Sequence, residues 1–225
     1  MTEAERLEIV EWLCSIYFSM IVISPSVTGK GPGRLRKQLL PLDRDVPLAV
    51  WRIRSRIIER EGLQAFCKEP IMEDLISIML PGGKIYPHRD LNLGDYIHSR
   101  FNVFVQLPPG EFNTFYGGRR IEAVEGHYTL CRSGLDTHWS DVLENPVPRI
   151  TLSFGFLIPL ETVNRMYEGL GSAQPLPKAP SPTPLEIENA RLWAAQAFGM
   201  KWWYSGEYGK RVSTYIEEMA PNSNA

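Results

Sequence analysis

The stretch Ser99-Arg100-Phe101-Asn102-Val103-Phe104-Val105-Gln106-Leu107 alternates in character at every position. In an extended strand successive side chains point to opposite faces, so Phe101, Val103, Val105 and Leu107 share one side and Arg100, Asn102, Phe104 and Gln106 the other. One face of the sheet therefore belongs to an apolar core, and the opposite face lines a polar cavity. The same texture extends outward. From Ile71 to Pro159 short apolar runs are separated by Gly, Pro and Asn, the pattern expected of an antiparallel β sandwich or barrel. The fold class is mainly β with flanking helices.

The flanks read differently. Residues 1–70 form an N-terminal helical support region. Thr2 and Glu5 have capping-box spacing, and Val10, Leu13, Ile16, Tyr17 and Met20 recur at the interval of a core-facing helix. Breakers between Gly29 and Gly33 lead into a basic stretch with Arg34, Arg36 and Lys37, and a second helix is expected over Leu48 to Arg60. After the β core of 71–160, residues 161–184 make a linker whose end, Gln174 to Pro184, is rich in proline and so extended. Residues 185–225 form a helical appendage. Thr183, Pro184 and Glu186 occupy N-cap, N1 and N3 positions of a helix that runs to about Phe198, with Trp202, Trp203 and Tyr204 burying the end of the chain on the core.

A net charge of −2 argues against bulk attraction to nucleic acid or to an anionic membrane. Ile9 to Ile23 is too short and too interrupted to span a bilayer, and the acidic stretch before it is the wrong charge for a signal peptide. Cys14, Cys67 and Cys131 are widely spaced, with no Cys-x-x-Cys pair, which fits a reducing cytoplasm.

All four histidines, His88, His98, His127 and His138, fall inside the β region. Non-haem iron oxygenases hold Fe(II) by two histidines and one carboxylate, leaving positions open for other ligands. His88-Arg89-Asp90 supplies two such groups on one side of an extended segment. The third comes from a distant strand, for which His138 in Asp136-Thr137-His138-Trp139 is the candidate; His98 and His127 read as ordinary histidines. The strand Arg149-Ile150-Thr151-Leu152-Ser153-Phe154-Gly155-Phe156 follows.

On these residues the sequence resembles the 2-oxoglutarate and Fe(II)-dependent dioxygenase superfamily, whose pattern is His-x-Asp, a distal His and then an Arg. The resemblance covers Ile71 to Pro159 and is nearest to the compact prolyl-hydroxylase-like enzymes of viruses and bacteria. It implies a double-stranded β-helix core (a jelly roll, cupin-like), iron on His88, Asp90 and His138, and the distal carboxylate of 2-oxoglutarate on Arg149. Arg149 and Thr151 share a strand face, so a guanidinium fork and a hydroxyl can grip that carboxylate together. Tyr86, Arg100 and Asn102 are further candidates for the co-substrate pocket. The implied reaction consumes O2, with ascorbate as an optional accessory, and yields succinate, CO2 and a hydroxylated product. Asp90 stands where related halogenases lack a carboxylate, which favours hydroxylation. A protein or peptide side chain such as Pro, Asn or Asp is the expected substrate. The region from Pro108 to Gly126 does not align with the family's middle strands, and its paired glycines would let the Tyr116–Arg120 loop move.

Three other patterns compete with this one. His-Arg-Asp-Leu-Asn imitates a kinase catalytic loop, but Asp95 stands where asparagine is needed and no Gly-rich loop precedes it. Arg34, Arg36, Lys37, Arg52, Arg54, Arg56 and Arg60 could track a nucleic-acid backbone, which would suit a nucleobase hydroxylase or demethylase, although solvated helix faces account for them more simply. A non-catalytic β-barrel binding module is the remaining alternative.

Overall fold

The computed structural model describes residues 1–29, 31–39, 45–66, 74–110 and 113–177. The helix expected from Thr183, the C-terminal aromatics and Cys67 lie outside the described residues.

The alternation of Ser99 to Leu107 governs the centre of the molecule. Strands β1 (Ile21–Pro25), β2 (Pro32–Gln38), β3 (Leu75–Met79), β4 (Tyr96–Gln106), β7 (His127–Cys131), β9 (Arg149–Pro159) and β10 (Gln174–Pro175) form one antiparallel sheet in the order β1-β2-β3-β9-β4-β7-β10. A smaller sheet has the order β6-β5-β8, from β5 (Thr114–Tyr116), β6 (Arg119–Ile121) and β8 (His138–Ser140). A bridge between His88 and His138 adds the His-x-Asp segment to its edge. The sheets meet across the cavity, where Asn102 of β4 donates to the Tyr116 hydroxyl of β5 at 2.9 Å. This is a double-stranded β-helix, and β5 and β6 supply strands in the region that resisted alignment.

The long strands β4 and β9 pair in register from Tyr96↔Pro159 to Phe104↔Thr151, and a bulge follows at Val105. On their outer face Phe101, Val103, Ile150, Leu152, Phe154 and Phe156 are buried in one cluster with two helices. These are α1 (Glu3–Ile16) and α2 (Leu48–Glu61). The capping box of Thr2 and Glu5 is present at the start of α1. Its buried residues are Glu5, Ile9, Trp12 and Leu13, while Val10, Ile16 and Tyr17 are only partly covered. The seam lies about one position earlier than the hydrophobic spacing predicts, because Glu5 turns inward to accept from Arg56 of α2 at 2.7 Å.

Two expectations for the flanks need correction. Residues 1–70 are not purely helical, since β1 and β2 extend the large sheet through β2–β3 pairing from Arg34↔Met79 to Gln38↔Leu75. The linker expected over 161–184 opens with a third helix, α3 (Leu160–Leu170), which turns Val163 and Leu170 inward. Nor do the α2 arginines all lie on a solvated face. Arg54 pairs with Asp74 in the interior, Arg56 with Glu5, and Arg60 lies over the Tyr128 ring. No helix among the described residues is long and apolar enough to cross a membrane.

Candidate active site

His88, Asp90 and His138 offer ligand atoms that all lie within 4.8 Å of one another. The backbone explains why. His88 and His138 sit opposite each other in an antiparallel bridge, each N–H donating to the other's carbonyl at 3.2 and 2.9 Å, so their rings stand side by side with centroids 4.1 Å apart. Asp90 is fixed two residues on by its own N–H, which donates to the Ser133 carbonyl at 2.8 Å.

The outer contacts aim these groups. His88 Nδ1 lies 2.7 Å from the Tyr86 carbonyl, and His138 Nδ1 lies 3.2 Å from the Asp136 carbonyl. A carbonyl can only accept, so each Nδ1 carries a proton and each Nε2 is the ring nitrogen turned to the shared space. Burial, and then the neighbouring His88, lowers the His138 pKa and keeps the ring neutral, as a metal ligand must be. Asp90 Oδ1 faces His88 Nε2 at 3.8 Å, while Oδ2 accepts from Arg100 Nε at 3.1 Å and meets His98 Nδ1 at 3.3 Å. Burial opposes the charge on Asp90, but Arg100 and His98 outweigh it and hold the carboxyl well below the usual range.

These groups stand at a cavity of about 210 Å³ whose wall also includes Arg34, Arg100, Asn102, Tyr116, Arg149 and Thr151. Arg149 begins β9, is 5% exposed, and lies 5.6 Å from the centroid of the Phe104 ring. Burial lowers its pKa to about 10, which still leaves it charged at neutral pH. Thr151 follows on the same strand face and is also buried. The hydroxyl of Tyr116, pushed up in pKa by burial, accepts from Asn102 and lies 3.3 Å from Thr129 Oγ1. One wall thus carries a cation and hydroxyls suited to a carboxylate, and the rim carries a two-histidine, one-carboxylate set suited to a divalent metal.

Of the residues expected from sequence, His88, Asp90, His138, Arg149, Thr151, Arg100 and Asn102 line this one cavity. Tyr86 does not. Its side chain is 55% exposed, with Lys84 over the ring, and only its carbonyl meets the site, because two residues before His88 the segment still lies at the surface. Tyr116 of the opposite sheet supplies the tyrosine instead. His98, expected to be ordinary, is 6% exposed and faces Asp90. Arg34 and Arg36 are wall residues that the sequence reading missed, although their spacing around the buried Leu35 carries the same period-two signal as β4.

No protein-family model and no curated protein matches the sequence. Solved structures do match in fold. One is a prolyl hydroxylase from Trichoplax adhaerens in complex with a peptide fragment of the hypoxia inducible factor oxygen degradation domain. It is 10% identical, with 70% of this chain and 80% of that chain covered and a TM-score of 0.50. Another is the non-heme alpha ketoglutarate dependent epimerase SnoN from nogalamycin biosynthesis. It is 11% identical over 70% of this chain and 74% of that chain, with a TM-score of 0.52. The chain shares its fold with these two enzymes.

Proposed function

We propose that this chain is an Fe(II)- and 2-oxoglutarate-dependent oxygenase that hydroxylates a C–H bond on a protein side chain (Pro, Asn or Asp), with succinate and CO2 as co-products. One observation carries the reading: the convergence of His88, Asp90 and His138 within 4.8 Å at a cavity whose wall holds the buried Arg149. The donor set fits the metal. Two imidazoles and one carboxylate match the preference of non-haem Fe(II) and leave coordination positions for other ligands. Bound there with 2-oxoglutarate and O2, iron would supply an oxidant able to convert C–H to C–OH.

The protein's own part is positioning and exclusion. His88 and His138 are held in one tautomer by the Tyr86 and Asp136 carbonyls. Asp90 is kept ionised by Arg100 and His98. Arg149 presents a guanidinium in a dry wall, where a charge-assisted pair with a carboxylate is stronger than in water, and Thr151 can add a hydroxyl donor. Asn102 and Tyr116 fix each other across the two sheets.

A cavity of about 210 Å³ is smaller than sites built for drug-sized ligands, roughly 300–1,000 Å³. With a co-substrate inside, the room that remains suits an inserted side chain. The Trichoplax adhaerens enzyme, which shares the fold, was solved with a peptide. The test is succinate release from 2-oxoglutarate by the iron-loaded protein, with Pro-, Asn- and Asp-centred peptides and a single-stranded oligonucleotide as trial substrates. Stimulation by a peptide that gains one oxygen in mass supports the proposal. Stimulation by the oligonucleotide alone would move the reading to nucleobase oxidation.

A further inference from the structure

The cavity holds more positive charge than the proposed chemistry uses. Among the described residues four arginines line it, Arg34, Arg36, Arg100 and Arg149, against a single carboxylate, Asp90. Arg100 is spent on Asp90, and Arg149 suits the co-substrate carboxylate. A divalent metal and a dianionic 2-oxo acid would cancel each other, so loading the site would leave the balance among these described side chains unchanged.

That leaves Arg36 and Arg34, and of these two it is Arg34 whose buried Nε lacks a hydrogen-bond partner among the described residues. It lies on β2, in register with Met79 of β3, which in turn is in register with Arg149 of β9. The two guanidiniums therefore enter the same cavity from strands separated by one other, with the metal ligands also on its wall. Burial, and then the like charges of Arg149, Arg100 and Arg36, lowers the Arg34 pKa to about 10. A cation held in this position costs stability, and folded proteins retain such costs chiefly where a ligand uses them. A guanidinium fork is matched by a carboxylate or a phosphate.

We infer that Arg34 is a specificity-determining residue that receives an anionic group, a carboxylate or a phosphate, carried by the substrate at the β2 side of the cavity. The inference rests on the oxygenase reading for the word substrate, but the anion site itself can be tested without it.

The experiment uses the metal-free full chain and three probes: inorganic phosphate, N-acetyl-aspartyl amide, and the neutral N-acetyl-asparaginyl amide. Binding is followed by calorimetry and by the shift in melting temperature for wild type, Arg34→Gln and Arg34→Lys. Wild type should bind at least one anionic probe at least tenfold more tightly than the neutral amide, and the tighter of the two anions identifies the source. Arg34→Gln should lose that preference while melting at or above the wild-type temperature. Arg34→Lys should retain part of it, as a point charge without the fork. Equal binding of anion and neutral probe by wild type, or an anion affinity unchanged in Arg34→Gln, would overturn the inference. A second titration adds Mn(II) and 2-oxoglutarate. Arg34→Gln should leave 2-oxoglutarate affinity within threefold of wild type, and a parallel collapse would assign Arg34 to the co-substrate instead. If wild type binds the anion but never 2-oxoglutarate with metal, the oxygenase reading fails and the anion site stands.

Discussion

Replacing His98 with leucine should weaken metal binding without harming the fold. His98 lies outside the proposed metal-binding triad and would act through Asp90, whose Oδ2 it meets at 3.3 Å through Nδ1. Burial, and then Arg100, pushes its pKa well down, so it is neutral and can donate one hydrogen bond to the carboxylate. Loss of such an outer partner typically lowers metal affinity about 10- to 100-fold. Arg100 still holds the same oxygen at 3.1 Å, so the lower end applies. That is about tenfold, or about 1.4 kcal/mol. The fold should tolerate the change. The backbone bonds of this position, its N–H to Asn92 Oδ1 and its carbonyl from Gly134 N–H and Ser133 Oγ, do not involve the ring. Its buried Nε2 has no partner among the described residues, so an apolar side chain of similar volume removes an unsatisfied group. Calorimetric titration with Mn(II), beside a thermal melt of the metal-free protein, reads both quantities. Wild-type affinity in His98→Leu, or an affinity loss matched by a melt lowered by more than about 5 °C, would refute the reasoning.

The buried Arg54–Asp74 pair fastens α2 to the sheet, and Asp74 Oδ1 also accepts from Gly155 N–H at 3.1 Å. Arg54→Met should therefore cost about 3–5 kcal/mol in a urea melt by leaving a buried carboxylate uncompensated. Arg54→Met with Asp74→Asn should recover most of that, because asparagine can still accept from Gly155, and an absent recovery would count against the pairing. Stability of the metal-free protein should fall with acidification below about pH 6.5. His98 and His138 are both held neutral in the folded state by burial, so the unfolded chain binds more protons in that range. His98→Leu should flatten the slope of stability against pH between about 6.5 and about 4, and an unchanged slope would show that His98 is not the titrating group.

What is legible in the sequence is what a period of two or a fixed motif can carry. β4 and β9 alternate between core and cavity where they pass the site, so Arg100, Asn102, Arg149 and Thr151 can be assigned to one face from the alternation alone. The proposed metal-binding set, His88, Asp90 and His138, is legible because it follows a fixed motif. β2 is hidden because its basic residues resemble a solvated segment, whereas Leu35 faces the core while Arg34 and Arg36 face the cavity. His98 is hidden because its approach to Asp90 depends on the tight reversal closed by Leu93 and Tyr96, a contact that no spacing rule encodes. Tyr116 takes the place expected of Tyr86 for a related reason. It lies on a three-residue strand whose pairing with β8 is non-local, and so short an element leaves no periodic signature. The α1 seam is displaced because a charged residue, Glu5, finds a buried partner in Arg56, a tertiary preference that outranks local hydrophobic spacing.

The central claim is that His88, Asp90 and His138 hold iron while Arg149 holds 2-oxoglutarate beside it. Anaerobic titration of the purified protein with Fe(II) and 2-oxoglutarate, followed through the weak visible charge-transfer absorption of the chelate, tests this most directly. Wild type should show a band, His88→Ala none, and Arg149→Ala a band that needs far more 2-oxoglutarate to develop. A folded wild-type protein that shows no band at saturating metal and co-substrate, or a band equally strong in His88→Ala, would contradict it.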